Sequence, residues 1–150
     1  MMADLHDTVM IEKPLEEVFS YAANLQNSIH IMSNVTQIEK VTEGPVQPGT
    51  KFKETREIRG RKASAIIEIV EYEPPNTYAV KSESNGLKVV YRYYFETTAE
   101  GTKVTYTGDI YTTGIMMRLS KPIIRKILKK EDGDHLKQLK KVIEAKEAIS

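Results

Sequence analysis

The chain has no cysteine and no tryptophan among its 150 residues. Without cysteine there is no disulfide, no thiolate metal site and no thiol nucleophile, and a reducing compartment is the natural setting. An excess of one charge is missing too: 22 Lys and Arg stand against 21 Asp and Glu, a formal net charge of +1. General nucleic-acid binders carry a basic excess, so no nucleic-acid partner is expected. No apolar run approaches the ~18 residues that span a bilayer. No basic segment leads into an apolar one near Met1, so a cytoplasmic location is expected. Gly-rich phosphate loops and dinucleotide fingerprints are absent. His6, His30 and His135 are too scattered for metal-ligand spacing. Glu131-Asp132-Gly133-Asp134-His135 lacks the alternation and terminal Glu of a calcium loop. Neither a metal nor another cofactor is expected.

What remains is an ordinary globular composition, 40% apolar and 29% charged. A chain of this length buries about 70% of its unfolded surface and needs no covalent staple. Internal repeats and Pro/Gly-rich linkers are absent, so residues 1–150 read as a single domain, monomeric or weakly dimeric.

Leu5 to Glu12 reads as a strand with Val9 and Ile11 on one face. Pro14 suits the first position of a helix, where its missing N–H costs nothing. Glu16 and Glu17 complement the helix dipole, and Leu15, Phe19 and Ala22 give helical spacing over Pro14 to Ala23. Asn24 to Asn34 reads as a short second helix or an irregular turn. Strands then run from Val35 to Thr113. After Gly114 the helical period returns in Leu119, Ile123 and Ile127, and again in Leu136, Leu139 and Ile143. This is a long C-terminal helix, interrupted or bent near Gly133.

The turns allow a sharper test than propensity. Gly60-Arg61, Asn85-Gly86 and Glu100-Gly101 read as two-residue hairpin turns, and Glu73-Pro74-Pro75-Asn76 as a four-residue one. Counting outward pairs Phe52 with Ile69, Glu54 with Ile67 and Arg56 with Ala65. The next turns pair Ile69 with Val80, Ile67 with Ser82, Val80 with Tyr91, Ser82 with Val89 and Tyr78 with Tyr93. The last pairs Tyr91 with Ile110, Tyr93 with Gly108 and Phe95 with Tyr106. All four turns place the more apolar residues on one face, an agreement that a one-residue slip would destroy. The opposite face, with Lys53, Glu68, Lys81, Arg92 and Lys103 among others, is solvated. The architecture is therefore α+β: a curved antiparallel sheet of about seven strands around a long C-terminal helix, with two short helices after strand 1. One helix about 10 Å across leaves a strongly curved sheet partly unfilled, so a cavity between helix and sheet is expected.

The chain resembles the START-like (SRPBCC) helix-grip superfamily, which includes polyketide cyclases/dehydrases and lipid-transport proteins. The resemblance runs over nearly the whole length. It rests on Ile11 to Pro14 leading into Val18-Phe19, and on Gly44-Pro45 with Gly49-Thr50. Val70-Glu71-Tyr72-Glu73-Pro74-Pro75 and the final Leu136, Leu139-Lys140 and Ile143-Glu144 complete it. It departs from the pattern at Asn24 to Met32, where relatives often carry an acidic residue and tryptophans. The resemblance implies a helix-grip fold and a small-molecule cavity, but the fold hosts carriers and enzymes alike.

The inward register carries one anomaly, the charged pair Glu54 and Arg56. Buried charges persist when paired and hydrogen-bonded, so the pair reads as the polar end of a pocket that grips a ligand carboxylate or hydroxyl. The alternative is that both side chains reach solvent near the hairpin tip, or are redirected by a bulge. The expected lining comprises Phe52, Glu54, Arg56, Ile67, Ile69, Tyr78, Val80, Ser82, Tyr91, Tyr93, Tyr106 and Ile110 from the sheet, and Met116, Leu119 and Ile123 from the helix. Binding or carrying a small hydrophobic or amphipathic molecule is the leading function. A polyketide cyclase/dehydratase-like enzyme is the alternative, with Glu54 and Arg56 as its catalytic candidates and tyrosine hydroxyls as acids. No nucleophile–base–orienter arrangement is visible, so a non-enzymatic role is favoured. Finally, Ile115 to Lys130 holds six basic residues and no acidic one. This basic amphipathic stretch suits transient contact with an anionic membrane, against the plainer reading of a solvated helix face.

Overall fold

The computed structural model describes residues 3–149. The chain runs β1 (Leu5–Ile11), α1 (Leu15–Ala23), a 3-10 turn (Leu25–Asn27) and α2 (Ser28–Ile31) before entering the sheet proper. There follow β2 (Val35–Lys40), β3 (Lys51–Ile58), β4 (Arg61–Glu73), β5 (Thr77–Ser84), β6 (Leu87–Thr98) and β7 (Gly101–Thr112). Two helices close the chain, α3 (Ile115–Asp132) and α4 (His135–Ile149). Pro14 occupies the cap position with extended backbone, one residue earlier than expected, so α1 starts at Leu15.

All seven strands form one antiparallel sheet in the order β1-β7-β6-β5-β4-β3-β2. Two of the four expected registers differ. The β3–β4 turn is Arg59-Gly60, both with positive φ, so Phe52 pairs with Ile67, Glu54 with Ala65 and Arg56 with Ala63. The β6–β7 turn is Ala99-Glu100, which pairs Tyr91 with Gly108, Tyr93 with Tyr106 and Phe95 with Val104. Moving a two-residue turn by one position slides the pairing by two residues. Side chains alternate with a period of two, so the inward face survives both corrections. The β4–β5 and β5–β6 pairs follow the expected register, including Ile67 with Ser82 and Tyr78 with Tyr93. A bulge between Ile69 and Glu71 shifts the far end of β4, setting Tyr72 opposite Tyr78. There Tyr72 lies against Phe19 of α1, ring centroids 5.9 Å apart.

The helix break near Gly133 is where the sequence places it, and it divides two different packing regimes. On α4, Leu136, Leu139 and Ile143 are buried in the core with Phe19, Phe95 and Val104. In contrast, α3 lies against β7, the strand next to the β1 edge. The core thus fills one end of the concave sheet. The other end stays partly open.

Gly108 shows how closely this sheet is packed. A Cβ built there would sit 2.8 Å from the Tyr91 ring and 3.1 Å from Cβ of Leu5. Tyr91 lies across its glycine partner because only a hydrogen leaves room for the ring. Gly108→Ala is expected to cost about 1–3 kcal/mol through overpacking, read as a lowered midpoint in urea denaturation.

Candidate ligand-binding site

A cavity of about 320 Å³ lies between β3–β6 of the sheet and the α2, α3 and α4 side chains above it. That is the size of a small-molecule site. Leu25, Met32, Ile67, Val80, Val89 and Leu139 contribute to its apolar wall. Its rim includes the exposed Ala63 and Ala65 of the β3–β4 hairpin and Ile127 of α3.

One polar cluster occupies the end where α3 meets the sheet. Arg56 donates from Nε to Glu54 Oε1 at 2.7 Å and from Nη1 to Asp132 Oδ1 at 2.9 Å. Its remaining amino group lies 3.6 Å from the Met32 sulfur. Tyr91 donates its hydroxyl to the other Asp132 oxygen at 2.6 Å. Asp132 is 1% exposed and Glu54 7%, so both carboxylates depend on this guanidinium for compensation. Burial by itself would lower the Arg56 pKa, but Asp132 and Glu54 outweigh it and hold it above its ordinary value. Asp132 ends α3, where the helix dipole disfavours a negative charge. Arg56 offsets that cost.

His135 continues the cluster. Its Nδ1 lies 2.6 Å from the Asp132 carbonyl oxygen and its Nε2 lies 3.0 Å from the Tyr93 hydroxyl. A carbonyl oxygen only accepts, so Nδ1 carries the proton and Nε2 accepts from Tyr93. Burial pushes the His135 pKa below its ordinary value, partly opposed by the bond to that carbonyl. Tyr78 donates to the Ala22 carbonyl at 3.1 Å. Burial raises the pKa of Tyr78, Tyr91 and Tyr93, with Asp132 adding to the shift at Tyr91, and pushes Tyr106 up to about 12.

Glu54, Arg56, Ile67, Tyr78, Val80, Ser82, Tyr91 and Tyr93, all expected in the lining, come together around the cavity. Seven others do not. Phe52, Ile69 and Tyr106 belong to the packed core, and Ile110 is buried outside the lining. The two-residue register shift sets Ile110 opposite Val89 and gives its expected place beside Tyr91 to Gly108. Met116, Leu119 and Ile123 are exposed; the less exposed side of α3 carries Met117, Ile124 and Leu128 together with Arg125 and Lys121, which reach Asp4 at 2.7 and 3.6 Å. Asp132 and His135 were missed. Their signal was the inward spacing Leu128, Asp132, Leu136, Leu139, which places an acid on a buried stripe. No group of three or more His, Cys, Asp or Glu among the described residues is arranged to hold a metal ion.

A curved antiparallel sheet gripping a C-terminal helix over an amphipathic cavity defines a helix-grip protein. The chain belongs to the family described as polyketide cyclase / dehydrase and lipid transport, whose model matches residues 2–144. No curated protein matches the sequence. Among solved structures, TTHA0849 from Thermus thermophilus is similar with a TM-score of 0.75 and 21% identity, covering 94% of this chain and 97% of that one. The Zhui aromatase/cyclase from Streptomyces sp. R1128 has a TM-score of 0.77 at 13% identity, covering 93% and 92%. Ara h 8.0201 has a TM-score of 0.71 at 17% identity, covering 94% and 97%. At these identities the likeness is one of fold.

Two outcomes are expected from the cluster. Arg56→Met strands two buried carboxylates and should cost about 3–5 kcal/mol at neutral pH, read by chemical denaturation. For His135 the folded pKa lies below the unfolded value of 6.5. Its contribution to stability is therefore present above pH 6.5 and is lost as the pH falls through that value toward the folded pKa, since the unfolded chain takes up the proton first. The stability difference between pH 7.5 and pH 5 should be smaller in His135→Gln than in wild type, measured by urea midpoints.

Proposed function

We propose that this protein binds a small amphipathic molecule in the cavity, apolar body against the aliphatic and aromatic wall and a hydrogen-bond donor at the Glu54 end. The observation that carries this reading is the charge and valence of the polar cluster. Two carboxylates share one guanidinium, so the cluster is formally acidic by one charge. The second Glu54 oxygen, Oε2, has no hydrogen bond among the described residues, and its residue lines the cavity. An alcohol or phenol supplies the missing donor. A ligand carboxylate meets an anionic surface whose cation is already engaged, which is costly at low dielectric.

A cyclase or dehydratase-like enzyme is the second reading, favoured by the family description. General acid catalysis requires a proton aimed at the substrate. The Tyr78, Tyr91 and Tyr93 hydroxyl protons are each committed to a protein acceptor, and burial makes all three phenols weaker acids. That supports binding over turnover.

Calorimetry with 2-naphthol and 2-naphthoate, equal in their apolar body, tests the proposal. The phenol should bind at least about tenfold more tightly, equivalent to ~1.4 kcal/mol, and Asp132→Asn should narrow the gap. Equal affinities would remove the charge preference alone. Failure of both compounds to bind would count against the binding role itself.

A further inference from the structure

The outer face of α3 carries five large apolar side chains in the open. Ile115, Leu119, Ile123 and Ile127 recur every fourth residue and run up one side of the helix. Their exposure falls steadily from 77% through 70% and 64% to 50%, and Met116 beside them is 79% exposed. Side chains of this size are ordinarily the buried stripe of an amphipathic helix. Here the polar contacts are on the inner side. Asp4 accepts from the Ile110 amide at 2.8 Å and from Arg125 at 2.7 Å, with Lys121 3.6 Å away, which fastens the charged face of α3 to the sheet edge. The apolar stripe therefore faces outward by construction, as a contiguous patch of the kind that marks an interaction surface.

The charges beside the stripe identify what covers it. Arg118, Lys126, Lys129 and Lys130 are exposed on the same helix, and no acidic residue lies between Ile115 and Lys130. A second copy docking through this face would bring two cationic fields together. An anionic lipid surface satisfies the apolar and basic groups at once: the stripe enters the acyl boundary and the lysine stems carry their ammonium groups back to the headgroups. From Ile115 to Ile127 the stripe rises about 18 Å along the α-helix. No helix among the described residues is long and apolar enough to cross a membrane, so α3 would lie in the interface. We infer that the outer face of α3 docks this protein on anionic lipid bilayers. Ile127 belongs both to the stripe and to the cavity rim, so docking sets the rim at the level of the headgroups. The inference is independent of which ligand the cavity takes.

Co-sedimentation of the full chain tests it, using vesicles of phosphatidylcholine alone and vesicles with about a third phosphatidylglycerol. Binding to the anionic vesicles should be at least about tenfold stronger, since each surface cation adds a several-fold gain, and should weaken between 50 mM and 500 mM NaCl through screening. Leu119→Glu with Ile123→Glu should abolish it, and Lys126→Glu with Lys130→Glu should reduce it at least about tenfold. Ile66, equally apolar and 47% exposed on the sheet, provides the control: Ile66→Glu should leave binding unchanged. All three variants alter exposed positions, and unchanged melting temperatures will show that they fold. Equal binding to neutral and anionic vesicles, or no binding to either, overturns the inference. So does a concentration-dependent dimer that Leu119→Glu dissolves while vesicles stay empty, which would assign the stripe to a second copy. Tight binding of polyglutamate without vesicle binding would assign it to an acidic protein and likewise overturn it.

Discussion

The Asp132 carboxylate joins the two halves of this molecule. It lies almost wholly buried at the end of α3, against the helix dipole, and neither burial nor position favours its charge. Arg56 from β3 and Tyr91 from β6 compensate it from opposite sides of the sheet's concave face. The same residue's carbonyl accepts a hydrogen bond from His135 Nδ1 across the Gly133 break, and His135 in turn accepts from Tyr93. One residue thereby ties strands β3 and β6 to the junction of α3 and α4, and Gly108 leaves the room that Tyr91 needs to reach it.

That junction explains why a cavity exists. On the α4 side, Leu136, Leu139 and Ile143 reach the sheet and close the core. At the α3 side, ionic contacts from Arg125 and Lys121 to Asp4 accompany the partly buried Leu128. The space between is walled by aliphatic and aromatic groups and ends on two carboxylates and one guanidinium. A packed apolar end and a polar end are different solutions to covering one curved sheet. The proposed ligand uses both.

The two sides of α3 differ in what they meet. Arg125 and Lys121 reach Asp4 on one side, where Leu128 also packs against the core, and Leu119 and Ile123 lie exposed on the other. Proposed lipid docking and proposed ligand binding would then meet at Ile127, where the exposed stripe reaches the cavity rim. The neutral overall charge conceals this arrangement, because the basic run on α3 is balanced by acidic residues elsewhere in the chain.

Much of the architecture was legible in the sequence because it rests on local, periodic signals. Turn residues and the period-two pattern placed the inward faces of β3 to β7, and even misplaced turns preserved them, since a turn displaced by one residue slides the pairing by two. Glu54 and Arg56 stood out for the same reason: two charges on an apolar face are visible without knowing what lies opposite. Their partner was not visible. Asp132 is 76 residues from Arg56, inside an acidic cluster that reads locally as a solvated helix end. The outward turn of α3 was equally hidden, because helical periodicity defines an apolar stripe without saying which way it faces. The contacts of its other side decide that, among them the packing of Leu128 against the core and the ion pair of Asp4 with Arg125, 121 residues apart. Sequence determined which residues share a face; the tertiary structure decided which faces meet, because burial and charge compensation act between elements that only the fold brings together.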